Sequence, residues 1–274
     1  MQINCKGRLI DLKHPKIMGI LNTTPDSFFE GSRSQNLNSA LKRIEKLLKE
    51  EADFIDIGGM STRPGSAEVS ETEELERVLP VVESAVKEFP DVLISIDTYR
   101  AKVVKESVGA GAAIVNDISA GSLDREMFET VTELQVPYIL MHMQGTPKNM
   151  QLNPVYENVT LEINQFLSEK IKELKELGVN DIILDPGFGF GKTVEHNYEL
   201  FRNLEVIGFG EFPLLVGISR KSMITRFLNV SADEALNGTT VLNTIALQKG
   251  ANILRVHDVK EAKEIIKILE QLKS

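Results

Sequence analysis

The chain has 274 residues, 42% of them hydrophobic, and a formal net charge of −9 without a long basic run; one α/β domain of about 250 residues fits that length, and nucleic-acid binding, which needs Lys/Arg-rich surfaces to release counterions, is disfavoured. The single cysteine, Cys5, excludes a disulfide framework and a Cys-based zinc site. Lys6, Arg8, Asp11 and Lys13 interrupt any apolar leader, and no run of about 20 apolar residues could span a bilayer, so a cytoplasmic protein is expected.

In chain order, residues 1–13 predict a short hairpin. Eight apolar runs follow, each ending in a polar or charged residue just before a loop or helix. Ile17–Leu21 ends at Asn22, Phe54–Ile57 at Gly58-Gly59, and Val92–Ile96 at Asp97. Ala112–Val115 ends at Asn116-Asp117, Tyr138–Met141 at His142, and Ile182–Leu184 at Asp185. Leu214–Ile218 ends at Ser219-Arg220-Lys221, and Ile253-Leu254 leads into Arg255, His257 and Asp258.

Helices alternate with these runs. Leu41, Ile44, Leu47 and Leu48 make one helical face. Ser70 with Glu73 forms a capping box, and Gly178 stands where a glycine would end the helix carrying Leu167 and Leu174. Ser231 with Glu234, and Asp258 with Glu261, are expected to open two more helices. Apolar strands without clean alternation suggest a parallel sheet covered by helices. A doubly wound open sheet shares that pattern, but eight units with polar ends on all of them favour a closed (β/α)8 TIM barrel. One domain, residues 1–274, is expected, with the hairpin plugging the barrel bottom. Three strand-to-helix loops are long, at residues 22–37, 59–70 and 143–158, and such loops are the expected mobile parts of the functional face.

A polar group ending an apolar strand must be hydrogen-bonded or paired. Each of Asp97, Asn116 and Asp185 alone could cap a local turn. Three of them on different strands of one barrel converge on one mouth, where Asp and Asn suit a planar heterocycle with N–H donors and ring acceptors. The cationic group Arg220, Lys221, Arg255 and His257 points to an oxyanion site, since the strands ending at 219, 255 and 22 are neighbours in a closed barrel. Asn22 could ligate magnesium through its carbonyl oxygen. Ser222 and the N–H groups of the helix after it offer a carboxylate site, with an ordinary helix cap as the plainer role. The run Gly187-Phe188-Gly189-Phe190-Gly191-Lys192-Thr193 is not a P-loop, because Pro186 stands where the first glycine is required. Lys192 is therefore expected on the surface or at a helix entry, Phe190 could supply an aromatic wall, and His142 is expected to be structural.

Met18–Phe28 and Asp56–Gly65 resemble the two signatures of the dihydropteroate synthases. Ser95–Thr98, Asn116-Asp117, Met141–Pro147, Leu184–Phe190, Ser219–Lys221 and Arg255–Asp258 continue the resemblance in order, from about residue 15 to the end. The resemblance implies a (β/α)8 barrel and a transferase that condenses (7,8-dihydropterin-6-yl)methyl diphosphate with 4-aminobenzoate for folate synthesis. By similarity, Asp97, Asn116, Met141, Asp185 and Lys221 hold the pterin, and Asn22, Arg255 and His257 bind the diphosphate with Mg2+ on Asn22. Phe28, Thr62, Arg63, Pro64, Phe190, Ser219, Arg220 and Ser222 build the 4-aminobenzoate pocket. Asp97, Lys221, Arg255 and His257 carry the catalysis. The family also implies a cytoplasmic homodimer and a sulfonamide target. Phe29-Glu30-Gly31-Ser32 replaces a more usual Ser-Asp-Gly-Gly, and Met60 stands where the family often has Glu, so the drug response is left open. A pterin-binding methyltransferase domain serving a corrinoid partner would share the Asp/Asn/Asp set, but would not need the Ser219–Lys221 loop, the Arg255/His257 pair or the Thr62–Pro64 loop.

Overall fold

A computed structural model describes residues 1–23, 33–61 and 69–272. Strands β1 (Gln2–Cys5) and β2 (Arg8–Asp11) form an antiparallel hairpin with Ile3 opposite Ile10. Its two-residue turn, Lys6-Gly7, has φ of 53° and 79°, the left-handed pair that matches the twist of the flanking strands.

Eight parallel strands follow: β3 (Lys16–Asn22), β4 (Phe54–Gly58), β5 (Ile94–Asp97), β6 (Ile114–Asp117), β7 (Tyr138–Met141), β8 (Ile182–Asp185), β9 (Leu215–Val216) and β10 (Ile253–Val256). Their order is β8-β7-β6-β5-β4-β3-β10-β9. A parallel bridge between Leu184 and Leu214 joins the two ends of that order, with the Leu184 N–H donating to Pro213 O at 2.8 Å. The ring therefore closes as a barrel, and the open-sheet alternative is set aside. All eight expected strands are present. The seventh is shorter than its apolar run, because Gly217 and Ile218 leave the ladder.

Helices α1 (Arg33–Lys49), α2 (Glu71–Glu88), α3 (Ala101–Gly109), α4 (Met127–Leu134), α5 (Val159–Glu176), α6 (Val194–Arg202), α7 (Ser222–Leu228), α8 (Leu236–Gln248) and α9 (Val259–Gln271) cover the ring. Residues alternate between two faces of each strand, and the core divides accordingly. Ile17, Ile55, Ile57, Ile94, Val115, Leu140, Leu184 and Leu254 pack outward with Ile44, Leu47, Val78, Val103 and Ile163 of the helices. Met18, Phe54, Leu93, Ile114, Ile139, Ile183, Leu215 and Ile253 pack inward, together with Ile3, Cys5 and Leu12. The hairpin thus shields the lowest inward layer from water, which is the plug expected of residues 1–13. Burial among these apolar groups pushes the Cys5 thiol up to about 12, so Cys5 stays protonated and serves as packing.

The Ser70 side chain accepts from Glu73 N at 3.2 Å, and Gly178, with φ of +90°, follows α5 as expected. Two caps differ from expectation. The Glu234 carboxylate bonds back to the N–H and hydroxyl of Ser231 at 3.0 and 2.7 Å, closing a separate turn, and α8 begins only at Leu236. Asp258 precedes α9 without a side-chain cap bond, because Arg220 occupies its carboxylate. Among the described residues no helix is long and apolar enough to cross a membrane.

Candidate active site

Above the apolar inward layer the barrel interior changes character. Two residues further along each strand the same face carries Ile20, Asp56, Ser95, Asn116, Met141, Asp185, Gly217 and Arg255. A barrel interior ordinarily stacks branched apolar side chains in layers; here one layer is largely polar and almost wholly buried. Gly217 leaves room in it, since a Cβ there would lie 3.8 Å from the Arg255 Cβ and 3.9 Å from Lys221 Nζ. Asp97 stands one step higher on β5, beside Gly58 of β4.

Arg255 organises one side of this interior. Its Nε donates to Asp56 Oδ2 at 2.7 Å and its Nη2 to Asp97 Oδ2 at 2.7 Å. The Asp56 side chain is 0% exposed, and its Oδ2 also accepts from Asn116 Nδ2 at 3.1 Å. Burial disfavours the charged guanidinium, but Asp56 and Asp97 outweigh it and lift Arg255 above its ordinary value. Burial lifts Asp97 above the usual carboxylate range; Arg255 opposes the rise and Asp56 adds to it. Asp56 Oδ1 and Ser95 Oγ are buried without a hydrogen-bond partner among the described residues. Buried oxygens of that kind call for a ligand or water.

Lys221 and Asp185 organise the opposite side. Lys221 Nζ donates to Phe188 O at 2.5 Å and lies 4.7 Å from the Phe190 ring centroid. Burial pushes its amine down to about 8, with Asp185 pulling the other way. Asp185 Oδ1 accepts from Gly187 N at 2.7 Å, and burial raises its carboxyl against the attraction of Lys221. Met141 is buried and pairs with Asp185 across the sheet.

The glycine-rich segment between β8 and α6 is fastened from within, and Lys192, at the entry to α6 but not on the surface, is the fastener. Its chain is 3% exposed, and Nζ donates to Gly187 O at 2.8 Å and Phe190 O at 3.0 Å. The same nitrogen lies 3.0 Å from His142 Nδ1. Burial pushes Lys192 down to about 7 and His142 down to about 2. A neutral His142 therefore accepts a hydrogen bond at Nδ1 from the Lys192 amine while its ring packs edge-on against Phe166 at 5.0 Å. That structural role agrees with the expectation for His142.

At the rim, Ser219 Oγ lies 3.1 Å from His257 Nδ1 and accepts from the His257 N–H at 3.2 Å. His257 O accepts from Arg43 at 2.9 Å. Asn22 is half-buried at the end of β3, opposite Gly58. β10 lies between β9 and β3, so 219, 257 and 22 end neighbouring strands, as closure requires. Arg220 sits at φ of +57° and forms a two-pronged pair with Asp258, Nε at 3.0 Å and Nη2 at 2.7 Å, plus a contact to Asp233 at 3.1 Å. Its guanidinium is engaged with carboxylates of this chain, so it braces the β9–α7 loop. Lys221, not Ser222, caps α7, without a side-chain bond; Ser222 is the first helical residue. Phe28, Thr62, Arg63 and Pro64 lie outside the described residues, as do Phe29-Glu30-Gly31-Ser32. Both flanks of 62–68 are tied down: Arg77 donates to Gly59 O at 2.9 Å, and Arg100 to Val69 O at 2.5 Å while pairing with buried Glu74 at 2.6 Å.

Asp56 and Lys192 are the interior groups that the sequence reading passes over as site or support residues. For Asp56 a signal existed, since a carboxylate two residues after Phe54 and two before Gly58 must share their face of the strand. For Lys192 only the surrounding glycines hinted at a tight, enclosed turn.

A closed barrel with a buried, charge-paired interior at the C-terminal ends of its strands is the site of a small-molecule enzyme, and the pterin binding enzyme family matches residues 18–257. The Escherichia coli (strain K12) dihydropteroate synthase is 46% identical over 98% of this chain and 96% of its own. The Yersinia pestis dihydropteroate synthase, solved with a sulfonamide drug complex, superposes with a TM-score of 0.93 at 46% identity, covering 100% of this chain and 99% of that one. The Xanthomonas albilineans dihydropteroate synthase in complex with 7,8-dihydropteroate gives 0.90 at 33% identity, with 100% and 99% covered. The chain belongs to the dihydropteroate synthase family. Relatives of that kind along nearly the full length set aside the corrinoid-dependent methyltransferase.

Proposed function

We propose that the buried polar layer of this barrel carries out the family's reaction by a division of labour among its own side chains. The reaction joins (7,8-dihydropterin-6-yl)methyl diphosphate to 4-aminobenzoate: the amine nitrogen forms a bond to the methylene carbon, the carbon–oxygen bond to diphosphate breaks, and one amine proton is lost. The products are 7,8-dihydropteroate and diphosphate. An aryl amine is a weak nucleophile, so a good leaving group is the main requirement.

Asp185 and Asn116 bind the edge of the pterin, Met141 and Arg255 flank its faces, and Lys221 supplies a donor across from Asp185. Asp97 and Asp185 favour positive charge developing on the pterin-methyl unit. His257 and Asn22, at the rim, meet the diphosphate, with Arg255 beneath them contributing its fixed charge. Ser219, Ser222, Phe190 and the segment holding Phe28, Thr62, Arg63 and Pro64 receive 4-aminobenzoate, with Arg220 bracing the loop they share. No covalent nucleophile is needed.

Among the described residues no three His, Cys, Asp or Glu side chains converge as a metal cage. Magnesium asks for less, since it keeps waters and takes phosphate oxygens with one or two protein ligands, and the Asn22 carbonyl oxygen meets that requirement. Bound there, Mg2+ would neutralise charge on the diphosphate. Sulfonamide binding is part of the reading, supported by the drug complex of the Yersinia pestis relative, and the family resemblance adds a cytoplasmic homodimer.

The observation that carries this function is the buried set Asp56–Arg255–Asp97 with Asn116, facing the Lys221–Asp185 pair in one enclosed interior. Titration calorimetry with the pterin diphosphate tests it. Asp185→Asn should weaken binding by roughly tenfold to a hundredfold, the effect of losing a charge-assisted hydrogen bond. Unchanged affinity would remove Asp185 from the site.

A further inference from the structure

Asp56 is buried in the same layer as Asn116 and Arg255, has no substrate role assigned above, and touches both of them. One oxygen, Oδ2, accepts both from Arg255 Nε at 2.7 Å and from Asn116 Nδ2 at 3.1 Å. The second oxygen has no partner among the described residues and is buried. The carboxylate shares this interior with Asp97, Asp185, Lys221 and Arg255, and its strand neighbour toward the rim is Gly58.

We propose that Asp56 is a positioning residue that sets the polarity of the pterin site, by pinning the amide nitrogen of Asn116 and the Nε edge of Arg255. This rests on the pterin-binding reading of Asn116 and Arg255. An asparagine amide can be rotated end for end with little change of shape, and the two orientations present opposite hydrogen-bonding characters to a ligand. With Nδ2 committed to Asp56, the carbonyl oxygen is the end left to meet the ring, and it selects an N–H donor there. Arg255, held at Nε by Asp56 and at Nη2 by Asp97, is likewise locked in plane and cannot swing toward the rim. Asp56 therefore determines which edge of the heterocycle, in which tautomer, is accepted.

Steady-state kinetics on the full chain test this, with Asp56→Ala, Asp56→Asn, Asn116→Ala and the doubles with Asn116→Ala. Asp56→Ala should raise KM for the pterin diphosphate roughly tenfold to a hundredfold, with KM for 4-aminobenzoate changed less than about threefold. Asp56→Asn, which keeps an acceptor oxygen in place, should recover most of that loss. In the Asn116→Ala background the Asp56→Ala effect should shrink, because the two act through one contact. Equal rises in both KM values, or additive losses in the cycle, would overturn the inference. If Asp56→Ala does not fold, the cycle is run with Asp56→Ser, whose shorter side chain does not reach Asn116: a coupled effect supports the role, and additivity rejects it. An unmodified chain that makes no dihydropteroate would instead contradict the underlying function, so the two failures are distinguishable.

Discussion

Arg255 shows how one side chain can serve stability and turnover together. It is the counter-charge for both Asp56 and Asp97 and stands directly below the rim that meets diphosphate. A buried ion pair adds little net stability compared with apolar packing, but removing one partner leaves a buried charge unpaired. Arg255→Ala is therefore expected to destabilise the fold by about 3–5 kcal/mol and, in protein that remains folded, to lower kcat for diphosphate release more than it raises KM for 4-aminobenzoate. Urea unfolding and product assays separate the two effects. If diphosphate release were unchanged, the leaving-group assignment of Arg255 would have to go.

At the scale of elements, the segment from Gly187 to Lys192 supports the site without contributing a charged ligand. Gly187 has φ of +69°, and a Cβ there would stand 1.9 Å from His142 O. Gly187→Ala combines a left-handed backbone with a backbone clash and should lower stability by about 3 kcal/mol or more, read as a fall in the urea midpoint. Lys192 holds the carbonyls of Gly187 and Phe190, so the segment presents Phe188 O and the Phe190 ring to Lys221. Lys192→Met should raise KM for the pterin substrate severalfold, since Lys221 loses its fixed partners. An unchanged KM would reduce Lys192 to a packing residue. Lys192 does stand at a helix entry, just before the Thr193 cap of α6, but the surface alternative failed for a physical reason: three backbone and ring acceptors enclosed by the fold can retain a buried amine, and chain-order patterns do not reveal an acceptor contributed by His142.

For the whole molecule, buried ionisable groups make stability depend on pH in opposing directions. His142 falls from its ordinary 6.5 to about 2. Between those values the unfolded chain binds one more proton than the native one, so stability drops as pH falls below 6.5, by roughly 1.4 kcal/mol per pH unit at most. Asp97, Asp117 and Asp185 are raised by burial. Above their ordinary 3.8 the native state retains protons that the unfolded state has lost, so their effect is a loss of stability as pH rises through that window. Unfolding free energies of His142→Asn, whose amide oxygen can still accept from Lys192, should therefore fall less between pH 6.5 and pH 4 than those of the unmodified chain. Parallel profiles would mean that His142 is not held neutral.

The barrel itself was legible because the apolar runs, from Ile17–Leu21 to Ile253-Leu254, end at polar residues in every case but Phe54–Ile57, which ends at Gly58-Gly59, and a closed ring brings all those ends to one mouth. The inward direction of Arg255 was legible from its alternation with Leu254 and Val256, which pack outward. Asp56 was hidden inside a run that reads as apolar. The engagement of Arg220 with Asp258 could not be separated from ligand binding, since a carboxylate of the chain and one of a substrate make the same demand on a guanidinium.

The most direct measurement is dihydropteroate and diphosphate formation by the purified chain with saturating (7,8-dihydropterin-6-yl)methyl diphosphate, with and without 4-aminobenzoate and magnesium. Dihydropteroate is expected only when 4-aminobenzoate is present, in equal amount to the diphosphate released alongside it, and at a much reduced rate without magnesium. Folded protein that forms no dihydropteroate under saturating substrates would contradict the account.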